Sequence, residues 1–257
     1  MDRTMQNIRV YANPAALAAA AAEEFFARAL RARAIGRIFT CALSGGSTPS
    51  QLFAQMSSPE TLATLPAGFW NAVHFFWGDE RDVRPDHPDS NYRQARQCLL
   101  GKINIPEENI HRIRPESGPA PAAAAAYENE LRRFFDLRPG EIPRFDLIFL
   151  GMGDDGHMAS LFPYSEALDE KTRLAIALWV PKFNSFRITL TLPVLNNAAC
   201  VLFLIQGSGK AEMLSRVLTG TRHPNQLPAQ AIQPGSGELL WLLDQAAAAK
   251  LDRPATK

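Results

Sequence analysis

The segment FDLIFLGMGDDGHMASLFP (residues 145–163) indicates how the chain folds, because it joins an apolar run to a glycine-rich turn. The run FDLIFL (residues 145–150) is short and rich in residues that favour strands, which is typical of a buried parallel strand. The next six residues, 151–156, have the spacing G-x-G-x-x-G of a dinucleotide-binding loop. The segment is therefore either a nucleotide site or a turn that serves another chemistry.

The residues around these glycines argue against a bound dinucleotide. Asp154 and Asp155 place two carboxylates where a pyrophosphate would lie, and like charges repel at short range. A dinucleotide site also needs an acidic residue about twenty positions later, at the end of the next strand. Here the next apolar run, residues 174–180, ends in Pro181 and Lys182. We therefore expect no nucleotide cofactor.

Further short apolar runs are separated by segments with helical patterns. They are IFTCAL (38–43), VHFFWG (73–78), LAIALWV (174–180), RITLTL (187–192), CVLFLIQG (200–207) and ELLWLLD (238–244), and the last fits either a strand or the start of a helix. A first helix is expected from Asn13, a second over residues 50–56, and another from Asp89 or Ser90 to about Leu100. This alternation predicts one α/β domain over residues 1–257, Rossmann-like, with a mostly parallel sheet and helices on both faces.

The bulk composition restricts the class of partner. Lys plus Arg number 27 against 26 Asp plus Glu, so no excess charge attracts nucleic acid or an anionic membrane. No apolar run is long enough to span a bilayer. The three cysteines are odd in number and show no C-x-x-C spacing, so we expect them to be reduced structural thiols. We expect a cytoplasmic protein with a small-molecule partner.

Polar clusters follow several of the predicted strands. They are SGGSTP (44–49), GDER (78–81), GMGDDGH (151–157) and QGSGK (206–210). In open parallel sheets, ligands bind beyond the carboxyl ends of the strands. We therefore expect these clusters to meet in one crevice.

Two of these clusters suit an anion. The candidate phosphate-binding residues of the first are Ser44, Gly45, Gly46, Ser47 and Thr48. Its glycines let backbone N–H groups point at one spot, beside two hydroxyls at a helix N-terminus. The alternative is an ordinary turn in which Ser47 or Thr48 caps the helix. Lys210 and Arg187 could supply fixed positive charge to a phosphate, or be solvated surface charges.

The other two clusters carry carboxylates and one notable histidine. His157 follows Asp155 in a sharp turn, with a helix-like stretch beyond it, and a histidine beside a carboxylate suits a general base acting on water. The alternative is a hydrogen-bonded turn histidine. Asp79 and Glu80 favour mutual ion pairing, whereas Arg81 is a candidate ligand contact. No second histidine or cysteine lies at metal-ligand spacing, so no metal site is expected.

Taken together, LSGGSTP, FFWGDER with DHPDSNY, FDLIFLGMGDDGHMASLFP, RITLTLPVLNNA and QGSGKAEML resemble the 6-phosphogluconolactonase family. The resemblance runs from about Leu43 to Asp244. It implies a modified Rossmann-like sheet similar to that of glucosamine-6-phosphate deaminase. It also implies hydrolysis of 6-phospho-D-glucono-1,5-lactone to 6-phosphogluconate, the second step of the oxidative pentose phosphate pathway, without metal or nucleotide, by a monomer or weak homodimer.

The resemblance also assigns residues. GMGDDGH resembles the family motif G-M-G-x-D-G-H, which makes His157 the base with Asp155 beside it. The SGGSTP loop, Arg81, Arg187 and Lys210 match positions associated with sugar-phosphate binding. The chain departs from the pattern at Asp154, where many members have Pro or Glu, and at Met158, where Thr is common, and neither change removes a catalytic group.

Three other functions are weighed against the lactonase. Related deaminases continue from D-G-H into a stretch resembling I-A-F-N-E-P, whose glutamate takes part in ring opening, whereas this chain continues with MASLFP. A non-catalytic sugar-phosphate sensor would need a DNA-binding module, for which the chain has no basic stripe. A dehydrogenase is disfavoured by the carboxylates in the glycine turn.

Overall fold

The computed structural model describes residues 7–251. Its strands are β1 (Ile8–Tyr11), β2 (Phe39–Leu43), β3 (Val73–Trp77), β4 (Asp79–Arg81), β5 (Ile110–His111), β6 (Leu147–Leu150), β7 (Ala175–Val180), β8 (Ser185–Leu190), β9 (Cys200–Ile205) and β10 (Glu238–Asp244). Its α-helices are α1 (Pro14–Ala34), α2 (Ser47–Met56), α3 (Pro59–Ala63), α4 (Asn91–Cys98), α5 (Ala120–Phe134), α6 (Leu192–Asn196) and α7 (Ala211–Thr219).

Seven of these strands form one parallel sheet in the order β1-β10-β9-β6-β2-β3-β5. Every residue of β2, β6 and β9 is buried. Because successive residues of a strand point to opposite faces, the centre of the sheet is covered on both of them. The predicted mostly parallel α/β fold is confirmed, and residues 238–244 form a strand rather than a helix.

Two of the apolar runs do not join this sheet. Strands β7 and β8 pair with each other and with β4 in a separate antiparallel sheet of order β4-β8-β7. Only residues 181–184 connect β7 to β8, and a connection this short makes a hairpin, whereas a parallel pair needs a crossover of about a dozen residues or more. Asn184 has a φ of 46°, in the left-handed region that tight turns use.

The helix starts follow from local hydrogen bonds. The Asn13 side chain accepts from the N–H of Ala16 at 2.9 Å, which confirms the predicted cap of α1. Ser90 is the cap of α4, since its hydroxyl accepts from the N–H of Arg93 at 3.1 Å. The second helix, α2, begins at Ser47, three positions before the predicted start.

The prediction of a helix-like stretch after His157 is wrong. Residues 158–164 form turns, with only a bridge between Met158 and Leu161. Ala159 and Tyr164 have φ values of 47° and 59°, which an α-helix cannot contain.

Buried apolar side chains hold the sheet rigid beneath its carboxyl ends. Phe25 of α1 packs against Phe39 and Phe75, with ring centroids 5.3 and 5.8 Å apart.

Cys41 and Cys200 are buried free thiols, and burial raises the pKa of Cys200 to about 12, so it carries no charge near neutral pH. Among residues 7–251, no helix combines the length and the apolar character needed to cross a membrane.

Candidate active site

The four polar clusters do meet in one cleft at the carboxyl edge of the parallel sheet, with a volume of about 330 Å³. The cleft is lined by residues 44–49, Asp79, Arg81, Asn91, residues 151–153, residues 157–159, Phe183, residues 204–206 and Lys210. Strands β2, β6 and β9 each end at this cleft. The sheet therefore brings together residues that lie more than 160 positions apart in the chain.

The glycine-rich turn after β6 positions the imidazole ring of His157. The N–H of Gly153 donates to the His157 carbonyl at 2.9 Å, and Gly156 turns the chain with a φ of 81°. A Cβ on Gly153 would lie 2.1 Å from the His157 ring, so only glycine leaves room for the ring there. Gly153 and Gly156 thus each have a structural role in this turn that involves no nucleotide.

His157 and Asp155 form a close pair. The Nδ1 atom of His157 lies 2.5 Å from Oδ1 of Asp155, and the backbone N–H of His157 donates to the same oxygen at 3.2 Å. Burial opposes ionisation of Asp155, but its hydrogen bonds from His157 and Lys182 outweigh this and hold its pKa well below the usual range. Because an ionised carboxylate only accepts hydrogen bonds, Nδ1 of His157 is the donor in this contact.

The tip of the β7–β8 hairpin completes the surroundings of this pair. Lys182 donates from Nζ to Oδ2 of Asp155 at 3.3 Å. Phe183 lies edge-on to Phe162 at 6.0 Å, and Phe162 in turn packs on the His157 ring at 4.3 Å. Sequence reasoning missed Lys182 and Phe183, because it treated the hairpin strands as part of the main sheet.

The SGGSTP segment has the features of an anion cradle. Gly46 is the N-cap of α2, and no side chain of the described residues 7–251 caps this helix. The alternative, a turn capped by Ser47 or Thr48, is therefore not found. The Gln94 amide holds Gly46 on both sides, accepting from its N–H and donating to its carbonyl, each at 2.9 Å. The first N–H groups of α2 have no partner within the helix, and helix N-termini attract anions.

Arg81 and Arg187 lie directly opposite each other on β4 and β8. Arg81 lines the cleft and donates to the Asp89 carbonyl. Arg187 does not line the cleft, and its guanidinium lies 5.1 Å from the centre of the Phe183 ring. Burial and the charge of Arg81 lower the pKa of Arg187, and no ion pair involves it within residues 7–251. Two adjacent cations of this kind favour a nearby anion.

The prediction that Asp79 and Glu80 are ion-paired is wrong, since neither carboxylate lies within ion-pair distance of a cation in residues 7–251. Glu80 is 2% exposed, and hydrogen bonds replace a counter-ion. Its carboxylate accepts from the N–H groups of Arg81, Asn91 and Tyr92, each at 2.8 Å, and from the Ser90 hydroxyl at 3.1 Å. Asp79 accepts from the Ser160 hydroxyl at 2.7 Å, which ties β4 to the segment after His157. The pair therefore fixes the loops around the cleft.

Two amide side chains in the cleft wall were also missed. The Oδ1 atom of Asn91 and the Oε1 atom of Gln206 are buried and accept no hydrogen bond from the described part of the chain. The Asn91 amide is oriented, since Nδ2 donates to the Asp79 carbonyl at 2.9 Å. An isolated asparagine or glutamine gives no sequence signal of this kind, because its exposure and partners depend on the fold.

Lys210 lies at the N-terminus of α7 and lines the cleft. Its Nζ donates to the carboxylate of Asp154, and this contact lowers the pKa of Asp154. Within residues 7–251, no group of three or more His, Cys, Asp or Glu side chains is arranged to hold a metal ion.

A family model described as glucosamine-6-phosphate isomerases/6-phosphogluconolactonase matches residues 12–241. The chain belongs to this family. A curated member from Nostoc sp., named 6-phosphogluconolactonase, is 46% identical over 213 residues, which cover 83% of this chain and 85% of the relative. The human protein of the same name is 40% identical over 254 residues, covering 97% and 95%.

Solved structures of similar proteins have the same fold as this chain. The 6-phosphogluconolactonase of Trypanosoma brucei superposes with a TM-score of 0.85 at 29% identity, covering 96% of this chain and 98% of that one. A monomeric glucosamine-6-phosphate deaminase shares the fold with a TM-score of 0.78 at 17% identity, covering 95% and 99%. The predicted family, fold and enzyme class are confirmed.

Proposed function

We propose that this enzyme hydrolyses 6-phospho-D-glucono-1,5-lactone to 6-phospho-D-gluconate with His157 as general base. The observation that carries the proposal is the His157–Asp155 pair, because His157 lines a cleft that also contains the N-terminus of α2 and the cations Lys210 and Arg81. The names of the well-covered relatives support the same substrate.

In the proposed reaction, Nε2 of His157 removes a proton from a water molecule as the water oxygen attacks C1 of the lactone. The tetrahedral intermediate then collapses, the bond from C1 to the ring oxygen breaks, and that oxygen takes the proton from the imidazolium. Asp155 holds the ring in place and stabilises its transient positive charge. A positioned base contributes roughly 10²- to 10⁴-fold in rate, which suits an ester as reactive as a δ-lactone.

The phosphate end is assigned to the hydrogen-bond donors and cations that line the cleft apart from His157. The N-terminus of α2, the hydroxyls of Ser47 and Thr48, Lys210 and Arg81 supply donors and positive charge, with Arg187 behind Arg81. Each charged hydrogen bond contributes about 1.5–3 kcal/mol and keeps C1 in register with the base.

Isomerisation or deamination of a sugar phosphate is the second candidate, because the deaminase fold is shared. Residues 158–163 carry no carboxylate, so the segment after His157 offers no acid for ring opening. Release of ammonia from glucosamine 6-phosphate tests this candidate directly, and we expect none.

The decisive experiment generates the lactone in situ and follows its disappearance. Wild type, His157→Ala, His223→Ala and a blank without protein are compared, and His223 serves as the matched control because it is exposed and outside the cleft. We expect wild type and His223→Ala to exceed the blank by orders of magnitude, and His157→Ala to lose roughly 10²-fold or more. A wild type equal to the blank would refute the proposed function.

A further inference from the structure

Asp154 occupies an unusual position beside the cleft. Its side chain is 79% exposed, yet its carboxylate contacts Nζ of Lys210, which is 29% exposed and lines the cleft. The hydrogen bond and charge of Lys210 lower the pKa of Asp154, so the carboxylate is ionised at neutral pH. The cation assigned to the phosphate therefore already has an anionic partner.

The other charged side chains near the Asp154–Lys210 contact interact mainly with other partners. Asp155 lies next along the chain, but its two oxygens accept from His157 and Lys182. Lys182 adds a weaker favourable charge to Asp154, and Asp155 an unfavourable one. Within residues 7–251, Asp154 is the one carboxylate within ion-pair distance of Lys210.

We propose that Asp154 is an internal counter-ion of Lys210 that a phosphate must displace, and that it thereby selects for dianionic phosphate ligands. The proposal rests on the proposed function of the cleft. A phosphate dianion brings two charges and also reaches the α2 N-terminus, whereas Asp154 offers a single charge on an exposed side chain. A singly charged anion, such as a carboxylate, would replace the weak Lys210–Asp154 contact by another weak contact to Lys210. Its binding free energy would therefore gain little.

The size of the effect follows from the exposure of the pair. Exposed ion pairs are weak, so removal of the Asp154 charge should strengthen phosphate binding by about two- to fivefold. Asp154→Asn keeps the shape of the side chain and removes the charge. Glu212→Gln is the matched control, because Glu212 is an exposed carboxylate paired with Lys250 at 2.6 Å and lies outside the cleft.

The test is calorimetric titration of inorganic phosphate at fixed ionic strength into wild type, Asp154→Asn, Glu212→Gln, Lys210→Met and the Asp154→Asn, Lys210→Met double variant. We expect about two- to fivefold tighter binding in Asp154→Asn, no change in Glu212→Gln, and no gain from Asp154→Asn once Lys210 is replaced.

Equal or weaker phosphate binding by Asp154→Asn would overturn the proposal, since Asp154 would then orient Lys210 or play no part. A gain of the same size in Glu212→Gln, or in the double variant relative to Lys210→Met, would also overturn it, because the effect would then be one of net charge alone. Lactone turnover in the same samples is a separate readout: a wild type without turnover refutes the proposed function, while the phosphate titration still decides the role of Asp154.

Discussion

Replacing Gly153 by alanine should inactivate the enzyme while leaving it folded. The new Cβ would lie 2.1 Å from the His157 ring, and ordinary contact begins at 3.4 Å, so the ring must move by about 1.3 Å (3.4 − 2.1). A misplacement of about 1 Å at a reacting group can cost on the order of 10²-fold in rate. We therefore expect kcat to fall roughly 10²-fold, with a smaller change in KM because the atoms nearest to the added Cβ belong to His157 and Asp155 and not to the residues assigned to the phosphate.

The assay is lactone disappearance corrected for the spontaneous rate, with thermal unfolding of the same samples as the check on folding. Gly209→Ala is the matched control, because Gly209 lies at the same edge of the sheet, does not line the cleft, and would bring an added Cβ within 4 Å of no heavy atom. It should retain nearly wild-type activity. Retention of more than a third of the wild-type kcat by Gly153→Ala would show that the position of the His157 ring does not limit the rate.

Three further outcomes are expected. Asp155→Asn should lower kcat by roughly 10²-fold or more, because an amide no longer fixes the proton on Nδ1 of His157, and steady-state kinetics will show whether KM stays constant. Lys210→Met should raise KM for the phosphorylated lactone far more than for unphosphorylated gluconolactone, and equal changes would remove Lys210 from the phosphate site. Burial and the neighbouring His111 lower the pKa of His74 from 6.5 to about 4. Between these pH values the unfolded chain binds a proton at His74 that the folded chain does not. The free energy of unfolding should therefore fall as the pH falls from about 6.5 to 4. His74→Gln should reduce this loss by roughly 0.5–1.5 kcal/mol between pH 7 and pH 5, a range discounted for the partial exposure of His74 and checked by urea unfolding at these two pH values.

The location of the site could be predicted from the sequence because it depends on a rule of sheet geometry. Clusters that follow parallel strands must meet at one edge, and residues 44–49, 151–157 and Lys210 do so. The assignment of Asn13 as a helix cap relied on equally local information, the side chain and the next three residues.

The errors arose where distant partners decide the structure. Residues 174–180 and 187–192 have the composition of buried parallel strands, and only the four-residue connection between β7 and β8 makes them a hairpin. Glu80 was expected to pair with a cation, but three of its four partners are backbone N–H groups, and two of these, on Asn91 and Tyr92, lie more than ten positions away, which no side-chain pattern reveals. The segment after His157 has apolar spacing like that of a helix, yet Ala159 adopts a left-handed φ.

The small sheet β4-β8-β7 gives the cleft one wall that can change independently of the other. It follows β3 through Gly78, whose carbonyl accepts from the N–H of Leu190 at 2.8 Å, while Asp155 and His157 lie in the turn after β6 of the main sheet. Substitutions or insertions in residues 181–184 would alter Lys182 and Phe183 without disturbing the seven-stranded sheet. The hairpin tip is therefore a point at which substitutions would change the surroundings of Asp155 and His157 while the parallel sheet stays intact.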